Sequence, residues 1–171
     1  WGVGSPGFFT VQRTNVMKAR VLLSVAAIAV MVTASVAAPK VSLKGVKCVM
    51  NPKMAAKAKA SVDFKGAKVY FCCGNCAKAF TAKQKDPKVA TKGNHQLVAT
   101  KQVKQAKCPL TGGKLNPATK IKVQGAELAF CCNMCKGKAN KAKGADQLAL
   151  VFSDKAFKKA GFAVPKKKAK K

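Results

Sequence analysis

Two stretches of the sequence decide the fold: Val69-Tyr70-Phe71-Cys72-Cys73-Gly74-Asn75-Cys76 and Leu128-Ala129-Phe130-Cys131-Cys132-Asn133-Met134-Cys135. One distant cysteine precedes each stretch, Cys48 in the first case and Cys108 in the second. All eight cysteines of the chain belong to these two sets, so the sequence carries two copies of one thiol site. Thiols this close in sequence are typical of metal or redox chemistry.

Each copy of the cysteine pattern contains a predicted β-hairpin. Apolar and polar residues alternate on both sides of the turns Lys65-Gly66 and Gln124-Gly125, which is the pattern of two short paired strands. The four predicted strands are residues 61–64, 67–71, 121–123 and 127–130.

Helices are expected after the cysteine corners and near the carboxyl end. Residues 76–83 and 136–141 have the alanine and lysine content of short helices, and Asp86-Pro87 should stop the first of them. A last helix is predicted over residues 155–160, with Asp154 as its N-cap and Gly161 as its end.

The predicted fold class is α+β, with two small tandem repeats that each hold a knuckle around the distant cysteine, a β-hairpin and a short helix. The first repeat is assigned to residues 46–98 and the second to 104–152, because Lys92-Gly93-Asn94-His95-Gln96-Leu97 matches Lys143-Gly144-Ala145-Asp146-Gln147-Leu148. Residues 153–171 would then be a short helix and a lysine-rich tail without fixed structure. Each repeat has few large apolar residues, so bound metal should contribute to folding.

The amino-terminal part of the sequence predicts export. Lys18 and Arg20 follow Met17, residues 21–32 are apolar, and small residues at 34–38 offer a cleavage point after Ala37. Residues 17–37 are therefore interpreted as a signal peptide, and residues 1–16 as translated sequence upstream of it. The apolar run is shorter than the roughly 20 residues of a membrane span, so no stable transmembrane anchor is expected. The predicted location is periplasmic or secreted.

The charge of the chain is strongly positive and comes from lysine. The whole sequence has a formal net charge of +29, and removal of residues 1–37 leaves about +26 with no arginine. Arginine is the usual residue for reading phosphates and base edges in a fixed geometry, so specific nucleic-acid binding is not expected. The lysines predict salt-sensitive attraction to polyanions, such as anionic polymers of the cell envelope.

The cysteine spacing favours a metal site in each repeat. Two thiols lie four residues apart across a strand-to-helix corner, and the hairpin folds the chain back so that the distant thiol can meet them. A helix N-terminus at the corner favours thiolate over thiol. Three soft thiolates suit zinc with a fourth ligand, or cuprous copper with fewer ligands.

These motifs resemble the YHS and TRASH domains, a related group of small treble-clef-like metal-binding modules. Their pattern is a Cys-Pro-x-x-Gly knuckle, a hairpin and a strand that ends in Phe-Cys-x-x-x-Cys before a helix, and Cys108-Pro109-Leu110-Thr111-Gly112-Gly113 fits that knuckle. The resemblance implies that each repeat binds one heavy-metal ion, zinc or copper, with a role in sensing, trafficking or resistance. The ligands that it implies are Cys48, Cys72, Cys76, Cys108, Cys131 and Cys135.

A fourth ligand is left open by the sequence. The candidates are the second cysteine of each corner and the matched pair from the repeat alignment: Cys73, Cys132, His95 and Asp146. Met50, Met54 and Met134 could donate thioether sulfur to copper.

Two other interpretations of the cysteines stay open. An even number of cysteines in small exported domains is typical of disulfide stapling, with a structural or envelope-adhesion role. Cys73-Gly74-Asn75-Cys76 and Cys132-Asn133-Met134-Cys135 are also Cys-x-x-Cys motifs at helix starts, as in thiol–disulfide exchange. A single histidine and five acids leave little for hydrolytic catalysis. The sequence therefore predicts an exported, non-enzymatic metal-binding protein for metal buffering, trafficking or sensing.

Overall fold

The computed structural model describes residues 41–165. The predicted signal peptide at 17–37, the extension before it and the end of the lysine-rich tail at 166–171 lie outside the described residues. No helix within the described part of the chain is both long and apolar enough to span a membrane.

Two antiparallel β-hairpins form, as the alternating sequence predicts. The first pairs β1 (Lys57–Phe64) with β2 (Ala67–Phe71), and the second pairs β3 (Asn116–Val123) with β4 (Ala126–Phe130). Lys65-Gly66 and Gln124-Gly125 make the turns, with positive φ at both residues of each pair. Such turns match the right-handed twist of the strands. Both outer strands begin earlier than the alternation predicts, and each has a register irregularity in its first half.

Each hairpin is followed by helices. The first is followed by α1 (Gly74–Lys83) and α2 (Pro87–Ala99), and the second by α3 (Asn133–Lys141), α4 (Gly144–Phe152) and α5 (Asp154–Lys159). The predicted helices after the two corners are confirmed, and the described residues are mixed α+β. Helix α1 ends at Lys83, before it reaches Asp86-Pro87, and this pair instead starts α2: the Asp86 side chain accepts a hydrogen bond from Lys88 N, and Pro87 occupies the first turn.

The prediction that Asp154 is the N-cap of the last helix is wrong by one residue. Ser153 is the N-cap, and its side chain accepts from the N–H of Ala156. Asp154 lies in the first turn, where its carboxylate pairs with Lys65 at 2.5 Å. The ion pair with a distant lysine therefore replaces the local capping role. Gly161 has φ of 59° just after the helix, the left-handed conformation expected at this end.

One apolar core runs through both repeats. Helix α2 packs against β2 of its own repeat, against β4 and α4 of the other, and against α5, which follows the second repeat. The rings of Phe64 and Phe71 lie 5.3 and 5.2 Å from the ring of Phe80, and Gly93 of α2 leaves room for them. The largest fully buried side chains come from both repeats: Phe71, Phe80, Leu97, Leu128, Phe130 and Phe152. The few large apolar residues of each repeat thus pack together in one shared core.

Candidate metal centres

The two distant cysteines lie at the start of tight turns, here called the first knuckle (residues 48–54) and the second knuckle (residues 108–113). In the first, Cys48 N donates to the carbonyl of Met54 at 2.9 Å; in the second, Cys108 N donates to that of Gly113 at 2.9 Å. Isolated β-bridges, Lys47 with Ala55 and Lys107 with Lys114, close both turns. Gly112 has φ of 80°, a conformation that glycine adopts at little cost. Each knuckle therefore holds its cysteine at a fixed point.

The other cysteines lie where an inner strand passes into a helix, here called the first corner (residues 72–76) and the second corner (residues 131–135). Cys72 and Cys131 directly follow the buried ends of β2 and β4. Cys73 and Cys132 are the N-caps of α1 and α3, with φ of −157° and −156°. The first and last cysteine of each corner pack in or against the apolar core, while the middle one is exposed at the helix start.

The fold brings three cysteines of each repeat together. The sulfur atoms of the first triad, Cys48, Cys72 and Cys76, all lie within 4.8 Å of one another. The same holds for the second triad, Cys108, Cys131 and Cys135. Both knuckle cysteines and Cys135 are buried, and the other three are partly exposed. The six ligand candidates that the resemblance implies are thus the six cysteines that gather in these triads.

The sulfur spacing fits a metal ion. Cys72 Sγ lies 3.6 Å from Cys76 Sγ, and Cys131 Sγ lies 3.7 Å from Cys135 Sγ. A tetrahedral zinc with Zn–S bonds of about 2.3 Å places its sulfur ligands about 3.8 Å apart. The corner pairs therefore need little movement to share one ion, and the three-thiolate donor set also suits cuprous copper.

Hydrogen bonds lower the pKa of both knuckle cysteines. Burial raises the pKa of Cys48, but backbone N–H groups at Cys72, Asn51 and Met50 outweigh it and lower the pKa overall. Burial likewise raises the pKa of Cys108, but the Thr111 hydroxyl and nearby backbone amides lower it to about 6. Hydrogen bonds to the ionised sulfur cause both shifts. These hydrogen bonds therefore favour the thiolate form of both knuckle cysteines.

The last cysteine of each corner holds its proton instead. Hydrogen bonding to Cys72 is the largest cause that raises the pKa of Cys76 to about 12. Burial is the largest cause that raises the pKa of Cys135 to about 12, followed by the Cys131 side chain. Three thiolates in contact repel one another, so a cation is needed before the whole triad can ionise.

The adjacent cysteines Cys73 and Cys132 lie outside the triads. Their sulfur atoms are 3.8 Å from Cys72 Sγ and 3.7 Å from Cys131 Sγ, and both side chains are exposed. Backbone N–H groups at the helix starts, those of Cys76 and Cys135 above all, lower the pKa of both thiols. They are accessible thiols beside each candidate centre rather than members of it.

His95 and Asp146, the matched pair from the repeat alignment, are not among the residues that gather in either triad. His95 Nε2 lies 3.2 Å from the carbonyl oxygen of Val123 and 3.1 Å from that of Gln124, and its ring packs edge-on against Phe152. Burial lowers the pKa of His95. Asp146 lies exposed in the first turn of α4. The histidine therefore joins α2 to the second hairpin turn.

Thr111 is a site residue that the sequence did not single out for a role. Its Oγ1 lies 3.2 Å from Cys131 Sγ, and it accepts a hydrogen bond from the N–H of Gly113 within the knuckle. A hydroxyl three residues after the knuckle cysteine is the signal that could have found it. In the first knuckle this position holds Asn51, whose Oδ1 accepts the equivalent hydrogen bond from Lys53 N.

A cleft of about 530 Å³ adjoins Cys48 and separates the first knuckle from α2 and the second hairpin turn. Lys44, Lys47, Lys92 and His95 line it, and none of its lining residues is acidic. The cleft therefore offers no carboxylate ligands to a cation, and the two cysteine triads are the groups among the described residues that could hold a metal ion.

Comparisons with protein-family models, with curated proteins and with solved structures found no match for this chain.

Proposed function

We propose that the protein binds two heavy-metal ions, zinc or cuprous copper, one in each cysteine triad, for metal buffering, trafficking or sensing. The observation that carries this proposal is the convergence of three sulfur atoms within 4.8 Å at two separate places in the fold. Amides that lower the pKa of both knuckle cysteines support it, because the thiolate is the form that binds metal.

We also propose that the two repeats are YHS/TRASH-like, treble-clef-like modules. The order of knuckle, hairpin, cysteine corner and helix supports this in both halves of the chain. The resemblance implies zinc or copper as the bound ion, and the three-thiolate donor set suits both. A bound ion supplies charge neutralisation for three neighbouring thiolates and a link between knuckle and corner, so it should also stabilise each repeat.

We propose that the protein is located outside the cytoplasm, because residues 17–37 resemble a signal peptide. There disulfide bonding competes with metal binding for the same thiols. All eight cysteines are free in the fold described above, a state that leaves the triads able to bind metal.

Intact-mass measurement of the native protein, purified without chelator or reductant, tests the proposal. We expect a mass increase equal to two metal ions under non-denaturing conditions. After denaturation in the presence of chelator, we expect eight alkylatable thiols. A protein without metal whose thiols resist alkylation until reduced would contradict the proposal and favour the disulfide alternative. Insulin reduction by the metal-free protein would favour thiol–disulfide exchange instead.

A further inference from the structure

A buried glutamine side chain connects the knuckle to the corner in the first repeat. Gln96 of α2 is 3 % exposed, and its Oε1 accepts from the N–H of Tyr70 at 2.6 Å. Its Nε2 donates to the carbonyl of Tyr70 at 2.9 Å and to that of Lys47 at 3.0 Å. Lys47 directly precedes Cys48, and Tyr70 lies two residues before Cys72. One amide therefore holds both chain segments that carry the first triad.

Gln105 makes the same three bonds in the second repeat. Its Oε1 accepts from the N–H of Ala129 at 3.0 Å, and its Nε2 donates to the carbonyl of Ala129 at 2.7 Å and to that of Lys107 at 2.9 Å. Lys107 directly precedes Cys108, and Ala129 lies two residues before Cys131. The bonded atoms are thus equivalent relative to the two triads.

The two glutamines come from different places in the repeats. Gln96 lies on a helix, whereas Gln105 lies in the segment between α2 and β3. The residue that the sequence repeat matches to Gln96 is Gln147, and its Nε2 donates to Ala139 at 2.8 Å, within its own helical pair. The shared bonding pattern is therefore not a by-product of the sequence repeat. Glutamines at two sequence positions that the repeat does not match therefore make the same contact, each to the equivalent part of one triad.

We infer that Gln96 and Gln105 are positioning residues, each of which holds the knuckle sulfur of one triad in register with the corner sulfurs. The inference rests on the proposed function. The side-chain amide of each glutamine pairs with the N–H and the carbonyl of one residue of β2 or β4, as a neighbouring strand would. Its third hydrogen bond goes to the carbonyl of the residue that precedes the knuckle cysteine. Residues behind metal ligands commonly fix ligand orientation, and their loss costs about 10- to 100-fold in metal affinity.

The chain offers a matched control in Gln102. Its Oε1 accepts from the N–H of Lys68 at 2.9 Å and its Nε2 donates to the carbonyl of Lys68 at 2.7 Å, on the same strand edge that Gln96 uses. Its remaining bond goes to Thr100 Oγ1 at 2.8 Å rather than to a knuckle. A Gln102→Leu variant therefore loses a buried strand-edge amide without disconnecting a triad.

The experiment is a chelator-competition titration with Zn²⁺ as the probe, on the full chain. Zinc affinity of the first triad is measured in a Cys131→Ser background, which removes a sulfur of the second triad. Zinc affinity of the second triad is measured in a Cys72→Ser background, which removes a sulfur of the first. We expect Gln96→Leu to weaken zinc binding at the first triad by about 10-fold or more, with no change at the second. Gln105→Leu should do the reverse, and Gln102→Leu should leave both affinities unchanged. Circular dichroism checks that each variant is folded; if Gln96→Leu is not, the half-buried Gln105 carries the test.

Equal weakening of both triads by Gln96→Leu, or the same weakening by Gln102→Leu, would show a general loss of stability and overturn the inference. Wild-type affinity in both Gln96→Leu and Gln105→Leu would overturn this inference alone. A wild-type protein that binds no zinc or copper would overturn the proposed function and the inference with it.

Discussion

Asn94 Nδ2 donates a hydrogen bond to the carbonyl oxygen of Phe152 at 2.8 Å, which connects α2 of the first repeat to the end of α4 in the second. Asn94 is fully buried. The same amide nitrogen lies 2.8 Å from Asp154 Oδ1, and Asn94 Oδ1 accepts from Lys65 Nζ at 2.9 Å. The two repeats are therefore joined by a satisfied polar network as well as by the apolar core.

Replacement of Asn94 by Ala should loosen this junction. The variant leaves the Phe152 carbonyl without its partner and removes a bond from Asp154, so we expect a loss of about 1–3 kcal/mol in the free energy of unfolding. Urea denaturation of the metal-loaded protein measures it. Asn140, exposed on α3, is the control. Equal stability of Asn94→Ala and Asn140→Ala would show that the network contributes nothing.

Two glycines in helices should respond to alanine with opposite sign. A Cβ on Gly93 would meet Phe80 Cζ at 3.0 Å and Phe64 Cε1 at 3.1 Å, inside a buried aromatic cluster. Gly93→Ala should therefore destabilise the protein by about 1–3 kcal/mol despite its better helix propensity. A Cβ on Gly137 of α3 meets nothing within 4 Å, so Gly137→Ala should stabilise it by about 0.5–1 kcal/mol. Thermal melts of both variants check the prediction, and a shift of the same sign in both would contradict it.

His95 should make stability depend on pH on the acid side. Burial lowers the pKa of His95 in the folded protein below its ordinary 6.5, so the unfolded chain takes up the proton first. The unfolded state then binds more protons, and stability falls as pH drops below about 6.5 until the folded-state pKa is passed. His95→Gln removes this contribution. The difference in unfolding free energy between wild type and variant should thus change between pH 7 and 5; a constant difference would be inconsistent with a buried neutral imidazole.

Metal uptake by the second triad should release fewer protons than its three thiols suggest. Near neutral pH the Cys108 thiol, with a pKa of about 6, is already largely ionised. Cys135, with a pKa of about 12, still holds its proton and must lose it to bind metal. Calorimetric zinc titration of Cys72→Ser at pH 7 in buffers of different ionisation enthalpy counts these protons. Release of three protons would mean that Cys108 is an ordinary thiol.

The hairpins could be predicted from the sequence because their signals are local. Alternation of apolar residues and a glycine at the second turn position fix the register beside each turn, whereas the irregular first halves of β1 and β3 carry no such signal. Helix α2 was not predicted, since Thr91, Gly93 and Asn94 are poor helix formers. Its stability comes from packing against both hairpins, and the small Gly93 and polar Asn94 fit that tertiary position. Helix propensity therefore argues against a helix at Gly93 and Asn94, although the packing of α2 requires these two residues.

The six triad cysteines could be expected from spacing and resemblance, but the residues behind them could not. Alignment of the repeats pairs Gln96 with Gln147, whereas Gln105 makes the equivalent contact. His95 aligns with Asp146, yet the histidine lies against the second hairpin turn. His95 differs because α2 packs against the second hairpin, so that its ring meets a partner outside its own repeat. The glutamines differ because Gln96 reaches β2 and the first knuckle within its own repeat, whereas Gln147 bonds Ala139 of α3.

The most direct test of the two-centre account is the metal-to-protein ratio of matched cysteine variants, measured by elemental analysis after gel filtration. We predict two ions in the wild type and one in Cys72→Ser or in Cys131→Ser, whose sulfurs belong to the triads. Cys73→Ser and Cys132→Ser, which change the adjacent exposed thiols, should keep two ions. A Cys72→Ser or Cys131→Ser protein that still holds two ions, or an equal loss in the neighbouring controls, would contradict the assignment of the triads as the metal centres.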